Sequence, residues 1–387
     1  MANATFFSRI KLQNFRNYPQ LDLALDGRHV VLTGPNGAGK TNLIEAVSLF
    51  SPGRGLRRAS AAQLAHKDAP DGSFTVFGAL TNHEDDYEVG TGLMPATNGD
   101  PSARTRRVRI NGTSTKRNEE LLDICRILWL TPAMDGLFTG SGADRRRFLD
   151  RMVLAIDPAH GQRANAYERA MRQRNKLLDD SFGRLHDNVW LDGIEEQLAS
   201  LGVAMRAARS ELIDLLVGII DKSGSDAFPH AQLAIEGEME SVAAEDGLTD
   251  AASVEEAYRR LLRDMRPRDQ AARRTLVGVH RSDLVVRHRQ KDMDAALCST
   301  GEQKALLIGL VLSHGTLTKS VSGHAPIMLF DEIAAHLDAD RRAALFEKVN
   351  AIGGQAFMTG TDRNLFDALG DKGQRFIVSA GHVDDDG

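Results

Sequence analysis

Eight consecutive residues constrain this chain more than any other stretch. Gly34, Pro35, Asn36, Gly37, Ala38, Gly39, Lys40 and Thr41 fit the pattern G-x-x-x-x-G-K-[ST], a loop that wraps the phosphates of a nucleotide. The apolar run His29-Val30-Val31-Leu32-Thr33 before it suits a buried parallel strand. The run from Asn42 to Phe50 carries apolar residues three and four apart, the period of a helix. The loop therefore stands at a strand-to-helix turn. There glycines let backbone N–H groups approach a polyphosphate, and the helix N-terminus favours negative charge. On this reading Gly34 through Asn42 bind ATP, Lys40 reaches the β- and γ-phosphates, and Thr41 holds Mg²⁺.

The rest of the chain chooses among the machines that share such a loop. Pro326-Ile327-Met328-Leu329-Phe330 reads as an apolar strand that ends in Asp331-Glu332. Asp331 is placed to hold the metal shell, and Glu332 to act as the general base that polarises the attacking water. Upstream, Cys298-Ser299-Thr300-Gly301-Glu302-Gln303-Lys304 opens an apolar helix. A hydroxyl and a glycine at a helix start form a second anion site, with Ser299 as its cap. The stretch resembles the Ser-Gly-Gly-Gln signature of ATP-binding-cassette ATPases, with Thr300 replacing the first glycine and Glu302 inserted before Gln303. His336-Leu337-Asp338 resembles the dimer-contact loop of the same superfamily.

Order and spacing exclude several alternatives. A GTPase needs Asn-Lys-x-Asp, but Asn175-Lys176 is followed by Leu177-Leu178. A compact transporter ATPase places its signature much nearer the loop than the roughly 250 residues found here. Chromosome-organising and break-repair ATPases insert hundreds of residues of coiled coil, and this insertion is of medium length.

Four further stretches resemble the RecF family of recombination-repair ATPases. They are Leu12-Gln13-Asn14-Phe15-Arg16-Asn17-Tyr18, the loop continued through Asn42-Leu43-Ile44-Glu45, Arg145-Arg146-Arg147-Phe148-Leu149-Asp150, and Gly278-Val279-His280-Arg281-Ser282-Asp283-Leu284. The likeness runs from about residue 8 to 365. It implies an α/β fold: an ATP-binding-cassette head built from both chain ends, with an inserted helical arm. It implies ATP and Mg²⁺ as ligands, weak DNA-stimulated ATP hydrolysis, and an ATP-dependent homodimer in which Ser299, Thr300, Gly301, Glu302 and Gln303 touch the opposing nucleotide. Implied partners are double-stranded and gapped DNA and the RecR and RecO mediators, in loading of the strand-exchange recombinase at gaps and strand junctions. Two departures stand out. No histidine follows the last core strand, so Thr359 or Thr361 would have to sense the γ-phosphate. The glutamine usual before the arm is also missing. The alternatives are a transporter's nucleotide-binding subunit and an ATP-dependent nuclease or defence ATPase subunit.

Composition limits how DNA could be held. A net charge of −5 provides no global basic field. Contact with DNA would fall to local patches, with candidates at Arg54, Arg57 and Arg58, and at Arg104, Arg106, Arg107 and Arg109. The arginines at 145–147 could add charge near phosphate or DNA. Only two cysteines occur, Cys125 and Cys298, so a disulfide framework is not expected. The N-terminal residues lack a signal-peptide pattern, and apolar runs fall short of the ~20 residues of a membrane span. The expectation is a cytoplasmic protein.

The expected organisation is a first head segment at 1–143, a helical arm at 144–272 and a second head segment at 273–387. Strand patterns occupy 5–25 and 73–117, with an Asn111-Gly112 hairpin turn and a polar loop at 81–105. In the arm, Ile194, Leu198, Leu201, Met205, Ala208, Leu212, Leu215 and Ile219 follow heptad spacing. A companion helix at 163–178 would turn Tyr167, Met171 and Leu178 inward and Arg172, Arg174 and Lys176 outward. Ser253-Val254-Glu255-Glu256 reads as a capping box. Residues 274–288 return to strand patterns, and Asp384-Asp385-Asp386 reads as a disordered tail.

Overall fold

The computed structural model describes residues 5–69, 71–82, 85–94, 106–115, 117–180, 188–224, 227–245 and 250–386. In chain order the strands are β1 (Thr5–Phe15), β2 (Tyr18–Ala24), β3 (His29–Thr33), β4 (Phe74–Asn82), β5 (Asp85–Leu93), β6 (Arg107–Ile110), β7 (Thr113–Ser114), β8 (Ile127–Leu130), β9 (Ala231–Glu236), β10 (Asp283–His288), β11 (Met293–Asp294), β12 (Ile327–Phe330), β13 (Ala356–Gly360), β14 (Gly373–Ser379) and β15 (His382–Asp385). Two compact units contain them. One gathers Met1–Asp135, Ser225–Phe228 and Leu307–Gly387, and the other gathers Gly136–Gly224 and Pro229–Leu306.

The first unit holds two six-stranded sheets. One has the order β15-β14-β3-β13-β12-β8 and is parallel except for its edge strand β15. Every residue of β3, β8, β12 and β13 is buried, as befits parallel strands covered on both faces. The other sheet, β2-β1-β4-β5-β6-β7, is antiparallel, and its strands alternate buried with exposed residues. The helix Lys40–Ser48 packs against β13 of the first sheet and β4 of the second. Leu43, Ile44, Ala46 and Val47 on it join Phe7, Ile10, Val30, Leu329 and Phe357 in one core. Strand order thus places the loop after β3 beside the end of β13, and the end of β12 one strand further on.

The second unit is built on the 35-residue helix Asn188–Lys222. The helices His160–Asp180, Ala251–Asp264 and Gly142–Ile156 pack along it. The heptad stripe holds at Leu198, Met205, Ala208 and Leu212, then slips by one residue. Leu216 and Ile220 are buried where Leu215 is 38% exposed. A straight α-helix repeats at 3.6 residues per turn, so a 3.5-residue stripe drifts off its seam.

Several expectations are corrected. Arg174 points inward and is fully buried, since it meets Glu195 at 2.9 Å and Asp269 at 2.6 Å. The helix at 251 is capped by Asp250, whose side chain accepts from the Ser253 N–H, and not by Ser253. The expected arm also carries strand β9, which pairs with β10 from Ala231–His288 to Glu236–Asp283. That pairing draws residues 273–306 into the second unit, so the break falls at Leu306/Leu307 instead of 272/273. Residues 274–282 precede β10 without forming a strand. The end of β4 and strand β5 occupy 81–82 and 85–93 of the expected 81–105 loop; 83–84 and 95–105 lie outside the described residues. The acidic tail forms β15, held by antiparallel pairing to β14. The Asn111-Gly112 turn appears as expected, with φ of 49° and 77°.

One described helix, Thr300–Ser322, is long and apolar enough to cross a membrane by length and composition alone. Of its most apolar stretch, 61% is buried inside the fold, as in a core helix.

Candidate functional site

The phosphate-loop motif needs its glycines in this fold. Gly34 has φ 142°, and a Cβ there would lie 2.2 Å from the Val378 carbonyl oxygen. Gly39 has φ 121°, with Asn17 Nδ2 2.4 Å from the same notional atom. Two side chains at the β1–β2 connection, Asn17 and Tyr18, brace the loop, and Asn42 of the following helix ties back to Asn17. Asn17 Nδ2 donates to Ala38 O at 3.0 Å, Tyr18 OH donates to Gly39 O at 3.0 Å, and Asn42 Nδ2 donates to Asn17 Oδ1 at 2.7 Å. Beneath them Arg16 grips the fully buried Glu45 with two hydrogen bonds of 2.9 and 2.8 Å. Arg57 adds a hydrogen bond to Asn42 Oδ1 at 2.8 Å. These contacts give the Asn-Phe-Arg-Asn-Tyr segment a physical task.

Lys40 Nζ folds back over its own loop, donating to Gly34 O at 2.6 Å and Pro35 O at 2.9 Å. Burial lowers its pKa, and the nearby Glu332 and Asp331 act against that shift. Both carbonyls can be released when a better acceptor for the ammonium arrives. Asp331, 6% exposed, lies at the end of β12. Its Oδ1 accepts from Thr41 Oγ1 at 2.9 Å and from Thr359 Oγ1 at 2.8 Å. Glu332 follows in a left-handed conformation, φ 54°, and its N–H donates to Thr359 Oγ1 at 2.9 Å. Loop, Asp331, Glu332 and Thr359 thus converge within one unit.

This donor set fits Mg²⁺ better than a metal caged by protein. Among the described residues no group of three or more His, Cys, Asp or Glu side chains could hold an ion. Mg²⁺ takes one or two protein oxygens and completes its octahedron with phosphates and water. Thr41 gives its proton to Asp331, which leaves the hydroxyl lone pairs free for a cation.

The signature stretch lies in the second unit. Ser299 and Glu302 form a reciprocal cap. Ser299 N and Oγ both donate to Glu302 Oε2 at 3.0 Å, and Glu302 N donates to Ser299 Oγ at 3.4 Å. Lys291 pairs with the other carboxylate oxygen and, with the Ser299 bonds, holds the Glu302 pKa down at about 2. Gln303 is buried and donates to Cys298 O at 2.9 Å. Thr300 and Gly301 are exposed, and nothing lies within 4 Å of a Cβ built on Gly301. In the expected dimer loop Leu337 is buried, and Asp338 caps the helix Ala339–Ile352 by accepting from Arg341 N at 2.8 Å.

The candidate DNA-binding arginines separate. Arg54, Arg57, Arg58, Arg107 and Arg109 are exposed. Arg106 is turned inward: its guanidinium donates to Leu49 O, to Ser51 O at 3.3 Å, to Gly53 O at 2.9 Å and to Thr91 Oγ1 at 3.2 Å. Burial lowers its pKa to about 10. It clamps the segment after the loop helix and leaves the basic face. Arg106, just before β6, is in step with buried Val108, whereas Arg107 and Arg109 share the opposite, exposed face, as alternation along an extended chain requires. Arg104 lies outside the described residues. Arg145 pairs with Asp283 at 2.5 Å, Arg146 donates to Ser282 O at 3.0 Å, and Arg147 pairs with Asp144, so this basic run braces its own unit. Both cysteines are free and buried.

The model of the RecF/RecN/SMC N-terminal domain matches residues 6–377. The DNA replication and repair protein RecF of Rhizobium etli is 56% identical over 386 residues, which covers 99% of this chain and 100% of that protein. The chain belongs to the RecF family. RecF of Rhizobium meliloti is 54% identical over 384 residues, again covering 99% of this chain and 100% of its own length. Among solved structures, a recombination mediator protein RecF with ATP, from the RecFOR pathway, superposes with a TM-score of 0.85 at 22% identity, covering 100% of this chain and 98% of the other. The Pyrococcus furiosus Smc head domain gives 0.51 at 15% identity, covering 98% and 95%. At these identities the two structures bear on fold, and the fold of this RecF-family chain is that of an ATP-binding-cassette head. Sequence reasoning missed Thr359's two bonds and the bracing by Asn17 and Tyr18. The Asn14-Phe15-Arg16-Asn17-Tyr18 segment is the sequence signal for the latter.

Proposed function

We propose that this RecF-family chain is an ATP-dependent DNA-binding repair ATPase that pairs with a second copy on ATP and hydrolyses it slowly. The observation that carries the reading is the convergence of Lys40, Thr41, Asp331 and Glu332 on the loop after β3. Lys40 and the loop N–H groups take the β- and γ-phosphates. Mg²⁺, held by Thr41 and Asp331 with the nucleotide, would neutralise phosphate charge. Glu332 removes the proton from the attacking water.

Ser299, Thr300 and Gly301 then contact the nucleotide of the second copy, and two such sites related by a two-fold axis make one isologous interface. ATP joins the pair, and hydrolysis releases it. DNA binds through the exposed arginines Arg54, Arg57, Arg58, Arg107 and Arg109, preferentially as duplex beside a gap. In the cytoplasm, with the RecR and RecO mediators, the pair helps load the strand-exchange recombinase at gaps and strand junctions. The RecFOR-pathway description of the RecF structure with ATP supports this placement.

The test combines nucleotide binding with turnover. Lys40→Ala removes the cation aimed at the phosphates, so ATP affinity should fall at least tenfold and gapped DNA should no longer stimulate hydrolysis. Wild-type ATPase activity in that variant would remove the loop from the mechanism. Turnover indifferent to DNA in the unaltered protein would remove DNA from the function.

A further inference from the structure

The missing histidine after the last core strand leaves a question that the hydrogen bonds around Thr359 answer. Thr359 lies on β13, the strand between the loop-bearing β3 and the Asp331-bearing β12. It is 1% exposed. A threonine hydroxyl has one proton to give and two lone pairs to offer. Here the proton goes to Asp331 Oδ1 at 2.8 Å, and a lone pair receives the Glu332 N–H at 2.9 Å. Its donor is spent on the carboxylate, so the side chain does not serve as a direct phosphate sensor in this arrangement. Thr361, the other candidate, is exposed.

We propose that Thr359 is the positioning residue of the hydrolytic centre, its single hydroxyl setting both the Asp331 carboxylate and the peptide of Glu332. The inference rests on the nucleotide-site reading given above. Asp331 Oδ1 receives two hydroxyl protons, from Thr41 and Thr359, and these fix the plane of the carboxylate. The second contact acts on the backbone. Glu332 has φ 54°, the left-handed region that a non-glycine residue seldom adopts. The bond from its N–H to a buried hydroxyl holds the peptide there, and the peptide sets where the Glu332 side chain starts. One hydroxyl thus couples the metal-side carboxylate to the base.

The test uses Thr359→Val, which keeps shape but removes donor and acceptor, and Thr359→Ser, which keeps both. Three readouts are taken: ATP affinity without metal, the gain in affinity on adding Mg²⁺, and kcat at saturating ATP. For Thr359→Val the metal-free affinity should match the unaltered protein, the Mg²⁺ gain should shrink, and kcat should fall about 10–100-fold, the usual effect of losing a group that orients a metal ligand. Thr359→Ser should stay within about threefold of the unaltered protein in all three. If the valine variant does not fold, Thr359→Ala carries the same expectation. A valine or alanine variant with unchanged Mg²⁺ gain and kcat overturns the proposal. So does a serine variant as slow as valine, because methyl packing and not the hydroxyl would then matter. Failure of the nucleotide-site reading looks different: the unaltered protein itself would bind no ATP.

Discussion

Replacing Arg174 with methionine probes the buried charge network of the second unit. The guanidinium is fully buried and donates to Glu195 at 2.9 Å, Asp269 at 2.6 Å, Thr275 Oγ1 at 3.0 Å and Leu262 O at 2.7 Å. Methionine keeps the unbranched stem and removes every donor. Glu195 would keep Arg266, which reaches it at 3.0 Å. Asp269, also fully buried, would keep, among the described residues, the Leu276 N–H at 2.9 Å and no cation. Removing one partner of a buried ion pair costs about 3–5 kcal/mol because the remaining charge is stranded. The loss should sit near the lower end, since only one of the two carboxylates is left without a cation. Adding Asp269→Asn to Arg174→Met removes the stranded charge and should recover about 1–2 kcal/mol, a coupling of the size expected for contacting residues. Urea unfolding of the full chain, followed by circular dichroism, measures both variants. A loss below about 1 kcal/mol for Arg174→Met, or no recovery in the double variant, would refute this account of the network.

Two further outcomes follow from neighbouring side chains with different tasks. Arg106→Ala should lower stability, since it strips donors from Leu49, Ser51 and Gly53 carbonyls, and should leave the salt dependence of DNA binding unchanged. Arg107→Ala with Arg109→Ala should do the reverse, flattening the slope of log affinity against log salt by about 2; titration of gapped DNA at several salt concentrations reads both. Stability should also depend on histidine protonation. Burial lowers the pKa of His280, whose ring nitrogens meet Tyr167 OH at 3.1 Å and Thr275 O at 3.0 Å, and of His29. The unfolded chain then takes up protons that the folded chain refuses. Stability is therefore full above the ordinary histidine value of about 6.5 and is lost as pH falls through it. His280→Gln should show a shallower fall between about pH 7 and 5.5 in urea titrations, and an unchanged slope would count against the burial argument.

The nucleotide loop was legible because its chemistry is local: glycine φ values, a lysine and a hydroxyl within eight residues. The strand ending in Asp331-Glu332 was legible for the same reason. What the sequence hid was long-range pairing. Arg174 looked like an outward cation by helical spacing, and partners far along the chain, Glu195, Leu262, Asp269 and Thr275, turn it inward. Strand β9 is short and lies among helices, so nothing local announces that β10 will claim it. The Asp384–Asp386 run reads as disordered on charge alone, yet backbone pairing to β14 needs no particular side chain. Arg106 and Arg107 differ by one position in the chain and by a whole face in the sheet.

The central claim is that ATP joins two copies through the loop of one and the signature of the other. Mass measured by light scattering, with and without ATP, tests it in three proteins. The unaltered chain should double its mass on ATP and return as ATP is consumed. Ser299→Arg puts a long charged side chain where Ser299 would meet the opposing γ-phosphate, so it should bind ATP yet remain monomeric. Glu332→Gln keeps the shape of the site and loses the base, so it should pair on ATP and stay paired. A Ser299→Arg protein that pairs at the unaltered ATP concentration would contradict the shared site and the reading of the signature with it.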